Sequence, residues 1–128
     1  MHAAELILYV ADQDRARTFY RAVLDAEPVL DVPGMTEFDV GGTTLGLMPG
    51  ADVQALLGDR LAPGTGQRCE LYLRRADAVQ ALQRVAAAGG TVLDDVRDRP
   101  WGERVGYAVD ADGHVLALAL ALALALAP

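Results

Sequence analysis

The 128-residue chain contains no lysine, serine or asparagine, only one cysteine, and only two histidines. Without lysine there is no Schiff-base nucleophile and no phosphate-loop lysine, and without serine there is no Ser-His-Asp hydrolase. The two histidines, His2 and His114, are too few for a three-histidine zinc site within one chain. A single Cys69 cannot form an internal disulfide, and we expect it to be a small core residue.

Long apolar runs and positive charge are also scarce. The longest apolar run has 13 residues (115–127), short of the roughly 20 that a membrane-spanning helix needs. No secretory signal precedes the first strand-like run, so we expect a cytoplasmic protein without membrane contact. The formal charge of −7 argues against direct nucleic-acid binding, because phosphate contacts need basic clusters. A hydrophobic content of 52% nevertheless predicts a folded core.

The two halves of the chain carry the same pattern. Residues 5–10 alternate as a strand, and apolar residues then recur at helical spacing from about Asp14 to Leu24. Two strands around Gly41-Gly42 follow as a hairpin. In the second half the strand and helix signals return 65 positions on (70−5) and the hairpin signals 71 positions on (110−39). These offsets predict a duplicated β-α-β-β-β unit.

The pattern predicts one structural domain in four parts. These are a first unit over 1–50, a Gly- and Pro-rich linker over 51–66, a second unit over 67–118, and a Leu-Ala tail over 119–128. Val53 to Leu57 is long enough for one helical turn inside the linker. The strict Leu-Ala alternation favours a strand that extends the last hairpin, although both residue types also favour helices.

Two motifs resemble the vicinal oxygen chelate superfamily, which includes glyoxalases, extradiol dioxygenases and bleomycin-resistance proteins. One is Val10-Ala11-Asp12 followed by Arg17-Thr18-Phe19-Tyr20. The other is Pro100-Trp101-Gly102-Glu103-Arg104 followed by Asp110-Ala111-Asp112-Gly113-His114, which is most similar to the bleomycin-resistance branch. The resemblance implies an α+β fold in which the two units form a curled mixed sheet around a cavity, with helices on the outer face. It also implies a homodimer with the cavity at the interface.

Superfamily enzymes hold a divalent metal at four strand positions, which the resemblance carries onto Glu5, Gly46, Glu70 and Ala117. Glycine and alanine supply no ligand atom, whereas zinc and iron usually have three or more protein ligands. We therefore expect no cofactor and no catalytic residue. The alternative is a divalent metal on Glu5 and Glu70, with water and substrate as further ligands.

Strand alternation indicates which side chains share a face with these positions. Small residues where metal ligands would otherwise stand are typical of room for a larger organic molecule, and carboxylates with aromatic rings suit a cationic or aromatic one. Simpler explanations stay open: solvated glutamates, tyrosines in a dimer interface, an Arg74–Glu70 pair, and Trp101 as a core residue. The expected ligand-binding residues are Glu5, Ile7, Tyr9, Gly46, Met48, Glu70, Tyr72, Arg74, Trp101 and Ala117.

Three functions are compatible with these features. The first is a non-catalytic protein that sequesters a small organic molecule, such as an antibiotic or another xenobiotic. The second is a metal-dependent glyoxalase- or dioxygenase-type enzyme in which Glu5 and Glu70 act. The third is a structural or regulatory partner that retains only a vestigial cavity.

Overall fold

The structure is a computed structural model that describes residues 3–58, 66–67 and 69–121. The chain divides into two compact units, Met1–Gly66 and Gln67–Pro128. Each unit holds a four-stranded mixed sheet, and the fold class is α+β.

The first unit contains two helices and four strands. In chain order they are β1 (Glu5–Val10), α1 (Gln13–Leu24), β2 (Leu30–Val32), β3 (Met35–Asp39), β4 (Thr44–Pro49) and α2 (Gly50–Leu57). The sheet order is β1-β4-β3-β2, in which β1 and β4 are parallel and the other pairs are antiparallel. The first and last strands of the unit are therefore neighbours.

The second unit repeats this topology. Its elements are β5 (Glu70–Arg75), α3 (Ala78–Ala87), β6 (Thr91–Asp98), β7 (Arg104–Val109) and β8 (Val115–Leu120). The sheet order is β5-β8-β7-β6, with β5 and β8 parallel. The predicted duplication of a β-α-β-β-β unit is thus confirmed.

Helix α1 begins and packs as its sequence predicts. The Asp12 carboxylate accepts a hydrogen bond from the Arg15 backbone N–H at 3.0 Å, which satisfies one of the free donors of the first turn. The predicted apolar face is buried, and the helix packs on β3 and β4. Its buried residues are Ala16, Phe19, Tyr20, Val23 and Leu24. On the sheet beneath it, Phe38, Leu45 and Leu47 are fully buried.

Helix α3 differs at its start. Asp77 takes the N-cap position but makes no side-chain cap bond. Its carboxylate instead accepts from the guanidinium groups of Arg75 at 2.6 Å and Arg84 at 2.8 Å. The bond from Arg75 is the main cause that lowers the pKa of Asp77 to about 2. Two arginines therefore bind this carboxylate in place of the backbone N–H groups of the first helical turn.

Three other expectations need correction or lie outside the described residues. Helix α2 covers Gly50–Leu57 and so extends over the first part of the predicted linker 51–66, where only one helical turn over Val53 to Leu57 was expected. Cys69 is exposed rather than a core residue. Leu118 to Leu120 belong to β8 as predicted, whereas residues 122–128 of the tail, residues 59–65 and His2 lie outside the described residues. Among the described residues, no helix combines the length and apolar character that crossing a membrane requires.

Gly106 determines how closely α3 packs on the second sheet. A Cβ atom at this position would lie 2.7 Å from Leu82 Cδ2 and 3.0 Å from both the backbone N and Cγ2 of Val96. The backbone contact cannot move away by a rotamer change. The close approach of α3, β6 and β7 therefore requires glycine at this position.

We predict that Gly106→Ala lowers the free energy of unfolding by about 1–3 kcal/mol, the usual cost of overpacking a core. Chemical denaturation monitored by circular dichroism measures this loss. Gly50→Ala is the matched control, because its new Cβ would meet only the Val10 carbonyl oxygen at 3.7 Å and would join a helix, where alanine is favoured. Equal stability of the two variants would contradict the prediction.

Candidate functional site

The face of the first sheet that is turned away from α1 carries the predicted site residues of this unit. Glu5, Ile7 and Tyr9 are exposed on β1, whereas Leu8 and Val10 are buried on its other face. The register places Ile7 beside Gly46, and Tyr9 beside Met48, so these residues share one face. The alternation predicted for β1 is confirmed.

A cavity of about 520 Å³ opens on this face within the first unit. Its lining combines three carboxylates with small and apolar residues: Glu5, Glu37, Asp39, Thr44, Val29 and Leu30. Glu37 and Asp39 come from β3, where they alternate with the buried Phe38. The described lining contains no arginine, so the carboxylates give the cavity a negative charge.

Glu5 and Glu37 approach each other across β4. Glu37 is in register with Gly46, and the Glu5 Oε1 atom lies 3.4 Å from the position of a Gly46 Cβ. A hydrogen bond with the Glu37 carboxyl is the main cause that raises the pKa of Glu5, and partial burial and the charge of Glu37 add to it. An incoming cation would relieve the repulsion between these two carboxylates.

Gly46 does not leave the room for a ligand that was expected from its lack of a side chain. A Cβ at Gly46 would lie 3.1 Å from Ile7 Cγ1 and 3.3 Å from Met35 Sδ. Neighbouring side chains have therefore closed over the glycine. The cavity lies instead toward Glu5, Glu37 and Asp39.

The corresponding face of the second sheet is packed differently. Ala117 is in register with both Tyr72 and Tyr107, and it is fully buried in a cluster with Val105 and Ala119 against which the two tyrosines pack. The interpretation that Ala117 leaves room for a ligand is therefore incorrect, because aromatic rings fill that room. Glu70 is exposed at the start of β5.

Glu103 joins three of the predicted site residues. Its Oε1 accepts from the Tyr72 hydroxyl at 2.8 Å, and its two carboxylate oxygens accept from Arg74 Nε at 2.9 Å and Nη2 at 3.1 Å. Arg74 therefore pairs with Glu103, not with Glu70. The Arg74 guanidinium is the main cause that lowers the pKa of Glu103, and the same bond raises the pKa of Arg74.

Trp101 lies at the edge of this cluster. Its Nε1 donates to the Tyr72 hydroxyl oxygen at 3.1 Å, and 54% of the residue is exposed. The interpretation of Trp101 as a core residue is therefore wrong. The Arg74 guanidinium lies 4.8 Å from the centre of the Tyr72 ring, in cation–π contact. Burial is the main cause that raises the pKa of Tyr72.

A third group of side chains lies in the hairpin between β7 and β8. The ligand atoms of Asp110, Asp112 and His114 lie within 4.8 Å of one another, and their types suit a divalent cation. His114 Nδ1 is 2.8 Å from Asp110 Oδ2, while Asp110 Oδ1 accepts from two backbone N–H groups of the turn. These bonds already organise the hairpin, and a cation would have to displace the imidazole bond.

The four carried-over superfamily positions do not fit a metal. Gly46 and Ala117 offer no donor atom, and their surroundings are filled by Ile7 and Met35 in one unit and by tyrosines in the other. Glu37, a residue outside the four, raises the pKa of Glu5 and so favours its uncharged form, which binds a cation poorly.

The sequence analysis missed Glu37, Asp39 and Glu103. Alternation along Met35 to Asp39 would have assigned Glu37 and Asp39 to one face, because Phe38 between them is apolar. Glu103 stands in the motif 100–104, but nothing there indicated its partners, since Tyr72 and Arg74 are about 30 positions away and contact it only in the folded chain.

Comparisons with known proteins agree with this topology. The family model described as Glyoxalase/Bleomycin resistance protein/Dioxygenase superfamily matches residues 2–118. An uncharacterized protein of Mycobacterium bovis is 30% identical over 120 residues, which cover 87% of this chain and 78% of that protein.

Two solved structures are similar in fold. A glyoxalase-related enzyme from Fulvimarina pelagi has a TM-score of 0.79 at 24% identity, covering 93% of this chain and 87% of that one. A glyoxalase/bleomycin resistance protein/dioxygenase family enzyme from Burkholderia phytofirmans has a TM-score of 0.80 at 14% identity, covering 93% and 98%. At these identities the likeness shows the fold alone.

We predict that the pKa of His114 lies above its ordinary value, mainly because the Asp110 carboxylate binds the imidazolium. Its stabilisation is then fully present below the unfolded pKa of about 6.5 and is lost as pH rises through the folded pKa. NMR titration of the imidazole in a His2→Gln background measures the shift. Asp110→Asn should return the pKa toward 6.5, and an unchanged midpoint would refute the assigned cause.

Proposed function

Since the chain belongs to the glyoxalase/bleomycin resistance protein/dioxygenase superfamily, we propose that it is a non-catalytic protein that sequesters a small organic molecule. The ligand that the chemistry of the site favours carries a positive charge and an aromatic or bulky apolar part. An antibiotic or another xenobiotic has these properties. Sequestration needs affinity alone, and no reacting group has to be positioned.

The observation that carries this proposal is the acidic cavity of the first unit. Glu5, Glu37 and Asp39 supply negative charge, while Val29 and Leu30 supply apolar surface in the same 520 Å³ cavity. A volume in this range suits a drug-sized molecule or part of one. Carboxylates without an arginine among the lining residues are best compensated by an ammonium or guanidinium group of the ligand.

The unequal charge of the two halves supports the same ligand class. Residues 1–64 contain ten acidic residues and four arginines, a net charge of −6, whereas residues 65–128 contain eight and seven, a net charge of −1. The negative potential is thus concentrated in the unit that carries the cavity. Such a potential raises the local concentration of cations and their rate of association.

The second unit carries a separate surface that suits an aromatic ligand group. Tyr72, Arg74 and Trp101 are joined through Glu103, and the indole of Trp101 is half exposed. An exposed indole is a surface on which planar and cationic groups stack. We therefore propose Tyr72 and Trp101 as ligand contacts, with Glu70 as an additional exposed carboxylate on the same face.

We further propose that the protein acts as a cytoplasmic homodimer in which the cavity is completed at the interface. Large apolar side chains are exposed on the cavity face and on the edge strands of the first sheet. Their exposed fractions range from 38% to 49%, and the residues are Ile7, Tyr9, Leu30 and Val32. Clustered apolar exposure of this kind is typical of an interaction surface.

The second candidate function is an enzyme of the same superfamily. The observation that favours it is the Glu5–Glu37 pair, because a carboxyl with a raised pKa is suited to proton transfer. Metal titration of untagged protein separates the two functions: stoichiometric binding that is lost in Glu5→Gln or Glu70→Gln would contradict the misfit described for these positions and would favour the enzyme.

We predict that Glu37→Gln weakens binding of a cationic ligand about tenfold, or roughly 1.4 kcal/mol, because one charge-assisted hydrogen bond is lost. Thermal-shift screening of cationic antibiotics and aromatic amines identifies ligands, and calorimetry then measures the Kd values. Glu27→Gln is the matched control, since Glu27 is a surface carboxylate of the first unit that pairs with Arg21 and does not line the cavity.

Trp101→Ala should weaken planar aromatic ligands about thirtyfold, near 2 kcal/mol, because it removes the indole on which they stack. Uncharged analogues of each ligand serve as a further comparison. Equal affinity for charged and uncharged analogues, together with an unchanged Kd in Glu37→Gln, would refute the proposed site.

A further inference from the structure

We propose that Glu103 is a positioning residue: it orients the Tyr72 hydroxyl and, through it, holds the indole of Trp101 as a preset stacking surface for a planar aromatic ligand. This inference rests on the proposed function and adds to it a residue that itself need not touch the ligand. It also assigns to Glu103 the role of neutralising Arg74 beside that surface.

The first step is the turn that carries Trp101. Between β6 and β7, the Arg99 N–H donates to the Glu103 carbonyl at 2.8 Å, and the Gly102 N–H donates to the Arg99 carbonyl at 3.0 Å. Gly102 has a φ of +92°, which side chains other than glycine rarely adopt. A tight turn therefore sets Trp101 and Glu103 two positions apart on a constrained backbone.

The second step is the direction of the hydrogen bonds. An indole N–H can only donate, and an ionised carboxylate can only accept. The Tyr72 hydroxyl lies between them, 3.1 Å from Trp101 Nε1 and 2.8 Å from Glu103 Oε1. Its single hydrogen must point to Glu103, which turns a lone pair toward the indole. The ionised carboxylate of Glu103 thus fixes the Tyr72 hydroxyl oxygen as the acceptor of the Trp101 N–H.

The third step is that packing holds Tyr72, whereas the orientation of Trp101 depends on its hydrogen bond to Tyr72. The Tyr72 ring packs on the buried cluster of Val105, Ala117 and Ala119, and the Arg74 guanidinium lies over its ring. Trp101 is 54% exposed. The indole bond to Tyr72 is the one side-chain hydrogen bond that the described part of the chain offers Trp101. Its orientation consequently depends on Tyr72 and on Glu103.

The fourth step is the benefit for binding. A side chain that is already held in its binding orientation loses less conformational entropy when a ligand stacks on it. Glu103 also neutralises Arg74, whose side chain is 56% exposed and whose charge would otherwise repel a cation near the ring. Loss of Glu103 should therefore weaken every planar ligand and should weaken cationic ones further.

The experiment exploits the fact that Trp101 is the sole tryptophan of the chain. Time-resolved fluorescence anisotropy reports the local motion of its indole without any ligand. We expect Glu103→Gln and Tyr72→Phe to increase the amplitude of the fast component at least twofold over the wild type. Glu27→Gln, which breaks an exposed Glu–Arg ion pair in the first unit, should leave it unchanged.

Two probes of similar ring shape then test binding: proflavine, which is cationic, and acridine, which is uncharged at pH 8. For Glu103→Gln we expect affinity for acridine to fall about fivefold, and affinity for proflavine to fall further. Glu103→Asp keeps the charge but shortens the side chain. It should restore the wild-type ratio of the two affinities without restoring their absolute values.

The outcomes distinguish this inference from the proposed function. If wild-type protein binds the probes and Trp101→Ala weakens them, but Glu103→Gln matches wild type in anisotropy and affinity, the positioning role is overturned and the proposed function stands. If neither probe shows saturable binding to wild-type protein, the stacking role is overturned. The Glu37→Gln variant, by contrast, tests the acidic cavity of the first unit, so its result does not depend on Glu103.

Discussion

The parallel pairing of the first and last strands is the constraint on which each unit depends. A parallel pair cannot be closed by a tight turn, so the chain between β1 and β4 must cross over through α1 and two further strands, and that between β5 and β8 through α3 and two strands. The helix then covers one face of the sheet. The side chains of the other face are left for contacts with a ligand or with another surface, and the register decides which of them are neighbours.

The same topology carries opposite electrostatic arrangements in the two units. In the first, Glu5, Glu37 and Asp39 lie around a cavity whose described lining includes no arginine. In the second, arginines neutralise carboxylates at short distance, as in the pairs Arg74–Glu103 and Arg99–Asp94. Arg17 and Arg21 of the first unit pair with Asp31 and Glu27, which do not line the cavity. The cavity therefore keeps a negative potential available to a cation, while the second unit uses its charges to hold its own side chains in place.

Arginine also defines the aromatic surface of the second unit. The guanidinium groups of Arg74 and Arg99 lie 4.8 Å and 5.0 Å from the ring centres of Tyr72 and Tyr107. The two rings in turn cover the small residues of β8. Stacked in this way, the tyrosines are held from both sides, and the exposed indole of Trp101 is attached to a rigid neighbour rather than to a mobile one.

The sequence by itself determined the duplicated unit, the order of its elements and the faces of its strands, because these follow from local periodicity: Leu8 and Val10 alternate with Glu5, Ile7 and Tyr9 whatever lies opposite them. Only the tertiary structure decided which side chains meet. Gly46 and Ala117 are small, yet Ile7 and Met35 close over the first and two tyrosines over the second. Whether a small residue leaves free space depends on the longer side chains that neighbour it in the fold. Asp77 stands at the N-cap position of α3 but binds two arginines, and Glu103 joins residues about 30 positions away. Such contacts depend on the register of strands distant in sequence, which local pattern does not specify.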